Sequence, residues 1–80
     1  MGRTEAYVLV QTSAGRALGA AEEIRHIAGV EAADPVTGLY DVICRVQAES
    51  LDELAATVVG RIQGVDGVER TETALVVHSK

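Results

Sequence analysis

The sequence predicts an α+β fold: a four-stranded antiparallel sheet with two helices on one face, in the order β-α-β-β-α-β. Three observations predict it. Apolar residues switch along the chain between strand-like runs and helical spacing, giving six elements with little linker. A short motif recurs, Ala28-Gly29-Val30-Glu31 and Asp66-Gly67-Val68-Glu69, each time after a helix and at the opening of a strand. Eighty residues leave room for a single domain, residues 1–80.

Glu5–Gln11 reads as the first strand, and its run Tyr7-Val8-Leu9-Val10 is apolar on both faces. Thr12 and Ser13 are helix-start residues. From Arg16 to Ala28 the spacing is helical, with Ala17, Ala20, Ala21, Ile24, Ile27 and Ala28 on one face and Glu22, Glu23, Arg25 and His26 on the other. Gly29 caps that helix. Val30–Val36 forms the second strand, which Pro35 makes an edge strand or bulges. Thr37-Gly38-Leu39 is the turn into a third strand, Tyr40–Ala48, with Tyr40, Val42, Cys44 and Val46 on one face. Ser50 and Glu53 are spaced as a capping box for a second helix carrying Leu51, Leu54, Ala55, Val58, Val59 and Ile62 on its apolar face. Gly64 ends it, and Gly67 turns into a last strand, Val68–His78. There Thr71, Thr73, Leu75 and Val77 alternate with Arg70, Glu72, Ala74 and Val76. Two βαβ halves in one short chain make the split βαβ, or ferredoxin-like, plait. Right-handed crossovers put both helices on the same side.

That placement leaves the other sheet face without a cover. It would carry Tyr7 or Val8, Ile43 or Val42, and alternate residues near Leu75–Val77, which is apolar on either phase. A chain of this size buries only about 60–65% of its unfolded surface. One cysteine, Cys44, allows no internal disulfide, and with His26 and His78 it makes a poor zinc set. Self-association, sheet against sheet, is therefore expected.

Residue types remove several functions. Net charge −5, with the basic residues scattered singly, argues against direct nucleic-acid binding. With only Tyr7 and Tyr40 as aromatics, there is no stacking platform for RNA. No Asn is present, which excludes the Arg–Asn pair of acyl-phosphate hydrolysis on this plait. A single cysteine excludes metallochaperone and iron–sulfur chemistry. Cys44 lies mid-strand with no neighbouring histidine, and His26, His78 and the acidic residues read as solvated faces and caps. No nucleophile–base–orienter set emerges, so the expectation is no enzyme, no catalytic residues, no metal and no cofactor. There is no signal-peptide h-region, no myristoylation signal at Met1-Gly2 and no apolar run of membrane-spanning length; with the unpaired cysteine, this points to the cytoplasm and to no membrane partner.

One segment stands out: Val36-Thr37-Gly38-Leu39-Tyr40-Asp41. Glycine at a hairpin tip lets backbone approach a ligand, free turn N–H groups hold a carboxylate, and Asp41 accepts from an ammonium. Together these needs describe a zwitterion, an amino acid. A hairpin whose Asp bonds its own turn carries the same residues without any ligand.

Gly29-Val30, then Val36-x-Gly38-x-Tyr40-Asp41, Ser50-Leu51-Asp52-Glu53-Leu54, Arg61-Ile62-x-x-Val65-x-Gly67-Val68, Thr71-x-Thr73 and Val76-Val77 resemble, as an ordered set, the effector-binding domain of the Lrp/AsnC transcription regulators. The resemblance runs from about Ala6 to Lys80 and implies an amino-acid sensing domain in transcriptional regulation. Met1 lies close to the first strand, so it implies the stand-alone form, without the helix-turn-helix domain. It also implies homodimers through the sheet, further assembly into octamer-like rings, and co-assembly with full-length regulators. Effectors would bind at the hairpin between the second and third strands. Gly38, Leu39 and Tyr40 would offer backbone, Asp41 would anchor the ligand or hold the loop, and Thr71 and Thr73 would assist. Leu39 departs from the polar residue or proline usual after that glycine and implies a drier pocket. Two alternatives stand beside this reading: a ligand-independent assembly module, and an ACT-like amino-acid-binding regulatory domain.

Overall fold

The computed structural model describes residues 3–77 and has the expected element order. The strands are β1 (Thr4–Thr12), β2 (Val30–Pro35), β3 (Val42–Ala48) and β4 (Val68–Leu75); the helices are α1 (Ala17–Ile24) and α2 (residues 51–63). They form one antiparallel sheet in the order β2-β3-β1-β4, the ferredoxin-like plait.

The core follows from the period-two alternation of the central strands. Ala6, Val8 and Val10 of β1 and Val42, Cys44 and Val46 of β3 point under the helices and are fully buried. Ala21, Ile24, Leu54, Val58 and Ile62 meet them from above. The expected self-repeat is real in three dimensions. Val30 donates to the Ile27 carbonyl and Val68 to the Val65 carbonyl, both at 3.1 Å, and Gly29 and Gly67 share φ +96°. A type II turn needs that positive φ at its third residue.

Several boundaries differ from expectation. The first helix ends at Ile24 instead of Ala28, because His26 and Ile27 donate to carbonyls three residues back, which tightens the chain into turns. Ala28 is consequently exposed. Pro35 does close an edge strand, and β2 also carries a register shift between Val30 and Ala32. The third strand starts at Val42, since Asp41 turns its N–H to the Val10 carbonyl and leaves Tyr40 in the loop. Helix α2 is wound as a π-helix over Leu54–Val59; Leu51 and Ala55 fall on its exposed flank. Ser50 caps it by accepting from the Glu53 N–H at 3.1 Å, while the Glu53 carboxylate reaches one residue further back than a capping box, to the Glu49 N–H at 3.2 Å. The last strand ends at Leu75, and His78 lies outside the described residues.

The uncovered face is not uniformly apolar. Tyr7, Leu9, Ile43 and Ala74 form an apolar centre, and charge surrounds it. Arg45 donates to Glu5 at 2.8 Å and to the Tyr7 hydroxyl at 2.6 Å, and its Nε lies 3.3 Å from Glu31. Of the two phases the sequence left open, this face carries Tyr7 and Ile43, and the ion cluster among them depends on the register Tyr7↔Arg45.

Candidate functional site

The chain between β2 and β3, residues 36–41, crosses the end of β1 and reaches β4. Asp41 is its fixed point. Its N–H donates to Val10 at 2.8 Å, its carbonyl accepts from Val36 at 2.9 Å, and its carboxylate accepts from the Thr12 N–H at 2.8 Å. These three bonds tie the loop to the end of β1 and to Val36. Gln11 of β1 donates its side-chain N–H to the Leu39 carbonyl at 3.0 Å. Tyr40 extends across to β4 and donates its hydroxyl to the Glu72 carboxylate. That hydrogen bond, with partial burial and the charge of Glu72, raises the Tyr40 phenol above its ordinary value, while Arg70 opposes the shift.

These contacts frame a half-open cleft of about 410 Å³, lined by Gln11, Leu39, Tyr40, Arg70, Thr71 and Glu72. Small-molecule sites are commonly of this order of volume. Of the residues expected at the site, Leu39, Tyr40 and Thr71 line the cleft. Gly38, at φ +139° and with nothing within 4 Å of where a Cβ would stand, sits at the open tip of the loop. Thr73 lies elsewhere, in an apolar groove with Leu51, Leu54, Ala55, Val59 and Leu75. Sequence reasoning missed Gln11, Arg70 and Glu72. Alternation placed Arg70 and Glu72 on one face, but only the pairs Gln11↔Arg70 and Leu9↔Glu72 bring them to the hairpin loop.

Leu39 is 79% exposed and offers the cleft an apolar wall that remains open to water. Cys44 is fully buried; burial, and next the charge of Asp34, push its thiol up to about 11. A thiol held protonated beneath the helices is packing, not a nucleophile. Among the described residues no cluster of three or more His, Cys, Asp or Glu side chains is arranged to hold a metal ion, and no helix is long and apolar enough to cross a membrane.

A plait whose hairpin loop and edge strand enclose a polar cleft defines a small α+β ligand-binding domain. The chain belongs to the Lrp/AsnC ligand binding domain family, whose profile matches residues 5–80. It is similar to TTHA0845 from Thermus thermophilus, with 32% identity, TM-score 0.86 and 96% of each chain covered. It is 25% identical over 94% of its length to the helix-turn-helix-type transcriptional regulator PH0140 of Pyrococcus horikoshii, of which it covers 48%. The chain thus spans about half the length of the curated relatives it matches. Its fold is also that of the transcriptional regulator NMB0573 from Neisseria meningitidis, solved as an L-Met complex, at 18% identity and TM-score 0.78, covering 94% of this chain and 50% of that one.

Proposed function

We propose that the whole chain, residues 1–80, is a non-enzymatic, oligomeric sensing domain that binds an amino acid in the hairpin cleft and acts in cytoplasmic transcriptional regulation. The observation that carries this reading is the juxtaposition of Arg70 and Glu72 in one cleft beside the Leu39 carbonyl and the Gln11 amide. A zwitterion needs a cation for its carboxylate and an acceptor for its ammonium, a few ångströms apart. Arg70 supplies the first. Glu72 supplies the second, with the oxygen that Tyr40 leaves free. Tyr40 and Thr71 shape the walls, Gly38 lets the loop tip adopt its positive φ, and Asp41 fixes the loop. Thr73 takes no direct part in this arrangement. The L-Met complex of the structurally similar regulator supports the ligand class.

Thermal unfolding in the presence of each of the twenty amino acids at millimolar concentration tests this. A ligand at about 100 times its Kd adds about 2.7 kcal/mol, which for a domain this small raises Tm by on the order of 10 °C. Arg70→Gln removes the response while keeping the fold. A flat response across all twenty overturns the reading and favours an assembly module that works without a ligand.

A further inference from the structure

Arg70 pairs across to Gln11 and Glu72 to Leu9, so both project from the sheet face opposite the helices. Two residues apart on one strand face, they stand about 7 Å from one another. Both are exposed, and their side chains are long enough to meet. Opposite charges at that spacing attract. If they paired, the cation and the acceptor would be spent on each other, and the cleft would have nothing to offer a zwitterion. The structure shows a different arrangement. Among the described residues the ion pairs involve Arg16, Arg25, His26 and Arg45, and Arg70 is in none of them. The Glu72 carboxylate accepts instead from the Tyr40 hydroxyl. The loop sets this choice. Gln11 holds the carbonyl of Leu39, just before Tyr40, and Asp41, just after it, is bonded to Val10, Val36 and Thr12. The phenol between them is aimed at β4. A hydroxyl donating to a carboxylate makes a charge-assisted bond, whereas an exposed ion pair loses most of its attraction to water and to side-chain ordering.

We infer that Tyr40 is a positioning residue: by drawing the Glu72 carboxylate toward the loop, it stops Arg70 and Glu72 from neutralising each other and keeps the empty cleft ready for a zwitterion. This rests on the reading of the cleft as an amino-acid site. The benefit is preorganisation. A ligand meets an available guanidinium and a carboxylate already fixed at one oxygen, with no ion pair to break and one fewer flexible side chain to order. The three groups share one electrostatic neighbourhood, since Glu72 raises the Tyr40 phenol and the charge of Arg70 opposes that shift. The role belongs to the hydroxyl and not to the ring. A tyrosine that only walled the cleft would be replaced by phenylalanine without loss.

Tyr40→Phe deletes that one oxygen and is the variant to test. Calorimetric titration with whichever of the twenty amino acids gives the largest thermal response should show its Kd raised about tenfold. Two further readouts need no ligand. By NMR, the Arg70 Nε–H should exchange with water several-fold more slowly in Tyr40→Phe than in the wild type, as the ion pair forms. Adding Glu72→Gln to that variant should restore the wild-type rate. The chain has only Tyr7 and Tyr40 and no Trp, so Tyr7→Phe leaves Tyr40 as the single chromophore in an ultraviolet titration. In that background Glu72→Gln should lower the pH at which the phenol ionises. A wild-type chain that answers no amino acid overturns the cleft reading and this inference with it. A wild-type chain that answers, while Tyr40→Phe binds equally well or leaves Arg70 exchange unchanged, overturns the positioning role alone. So does a Tyr40 titration indifferent to Glu72.

Discussion

Gly29 and Gly67 on one side, and Gly38 on the other, use the same residue for different ends. Gly29 and Gly67 sit at φ +96° with the protein closed around them. A Cβ on Gly29 would meet Val58 at 2.8 Å and the Gln47 carbonyl at 2.9 Å, and one on Gly67 would meet Arg16 at 2.8–3.1 Å. Gly38 has φ +139° and open space. The first two hold helices against the sheet, while the third shapes a loop whose surroundings are left clear beside the cleft. Positive φ alone does not separate a structural glycine from a site glycine; what a Cβ would strike does.

Substitution to alanine turns that contrast into a series. Gly29→Ala combines backbone strain with a clash against a carbonyl that cannot swing away; we expect a loss of about 3 kcal/mol and a Tm more than about 10 °C lower in calorimetry. At Gly67 the obstacles all belong to Arg16: its Nε and Cγ can rotate away, but its Cβ, at 2.9 Å, moves only with the backbone before α1, so Gly67→Ala should lose about 2 kcal/mol and release the Arg16 bond to the Asp66 carbonyl, now 3.0 Å. Asp41→Ala deletes a charged acceptor from the Thr12 N–H, a contribution of about 1.5 kcal/mol. Faster hydrogen exchange at that amide and a weakened amino-acid response would accompany it. Gly38→Ala meets only the conformational term, about 1 kcal/mol, and its main effect belongs on the amino-acid response. Equal losses for Gly38→Ala and Gly29→Ala in urea unfolding would erase the distinction.

Much of the fold was legible because it rests on local signals. The apolar runs of β1 and β3 were readable as sheet, but either phase could have been the covered one; the structure puts Val8, Val10, Val42, Cys44 and Val46 beneath the helices. The repeated glycine turn was readable because a type II turn demands a residue free to take positive φ. The turn Thr37-Gly38-Leu39 was readable for the same reason, but the strand expected from Tyr40 begins only at Val42, and Asp41 spends its carboxylate on the Thr12 N–H. Arg70, Glu72 and Gln11 were not readable as partners of that loop. Their meeting depends on β1 lying between β3 and β4 with Gln11 opposite Arg70, and register is a property of pairs that one strand's sequence does not contain. Thr73 was expected at the site from the family resemblance, but its place beside Leu51, Leu54, Ala55 and Val59 of α2 puts it in a different groove.

By itself the sequence determined the element order, the apolar runs and the positions of the turns, because dihedral preference and hydrophobic period act within a few residues. It also predicted that both helices lie on one face of the sheet, and among the described residues no element covers the other. Only the tertiary structure decided that this face mixes an Arg45–Glu5–Glu31 cluster with Tyr7 and Ile43, and that the cleft lies between the hairpin loop and β4. Each of these depends on which distant residues stand opposite one another, and that is settled when the strands pair.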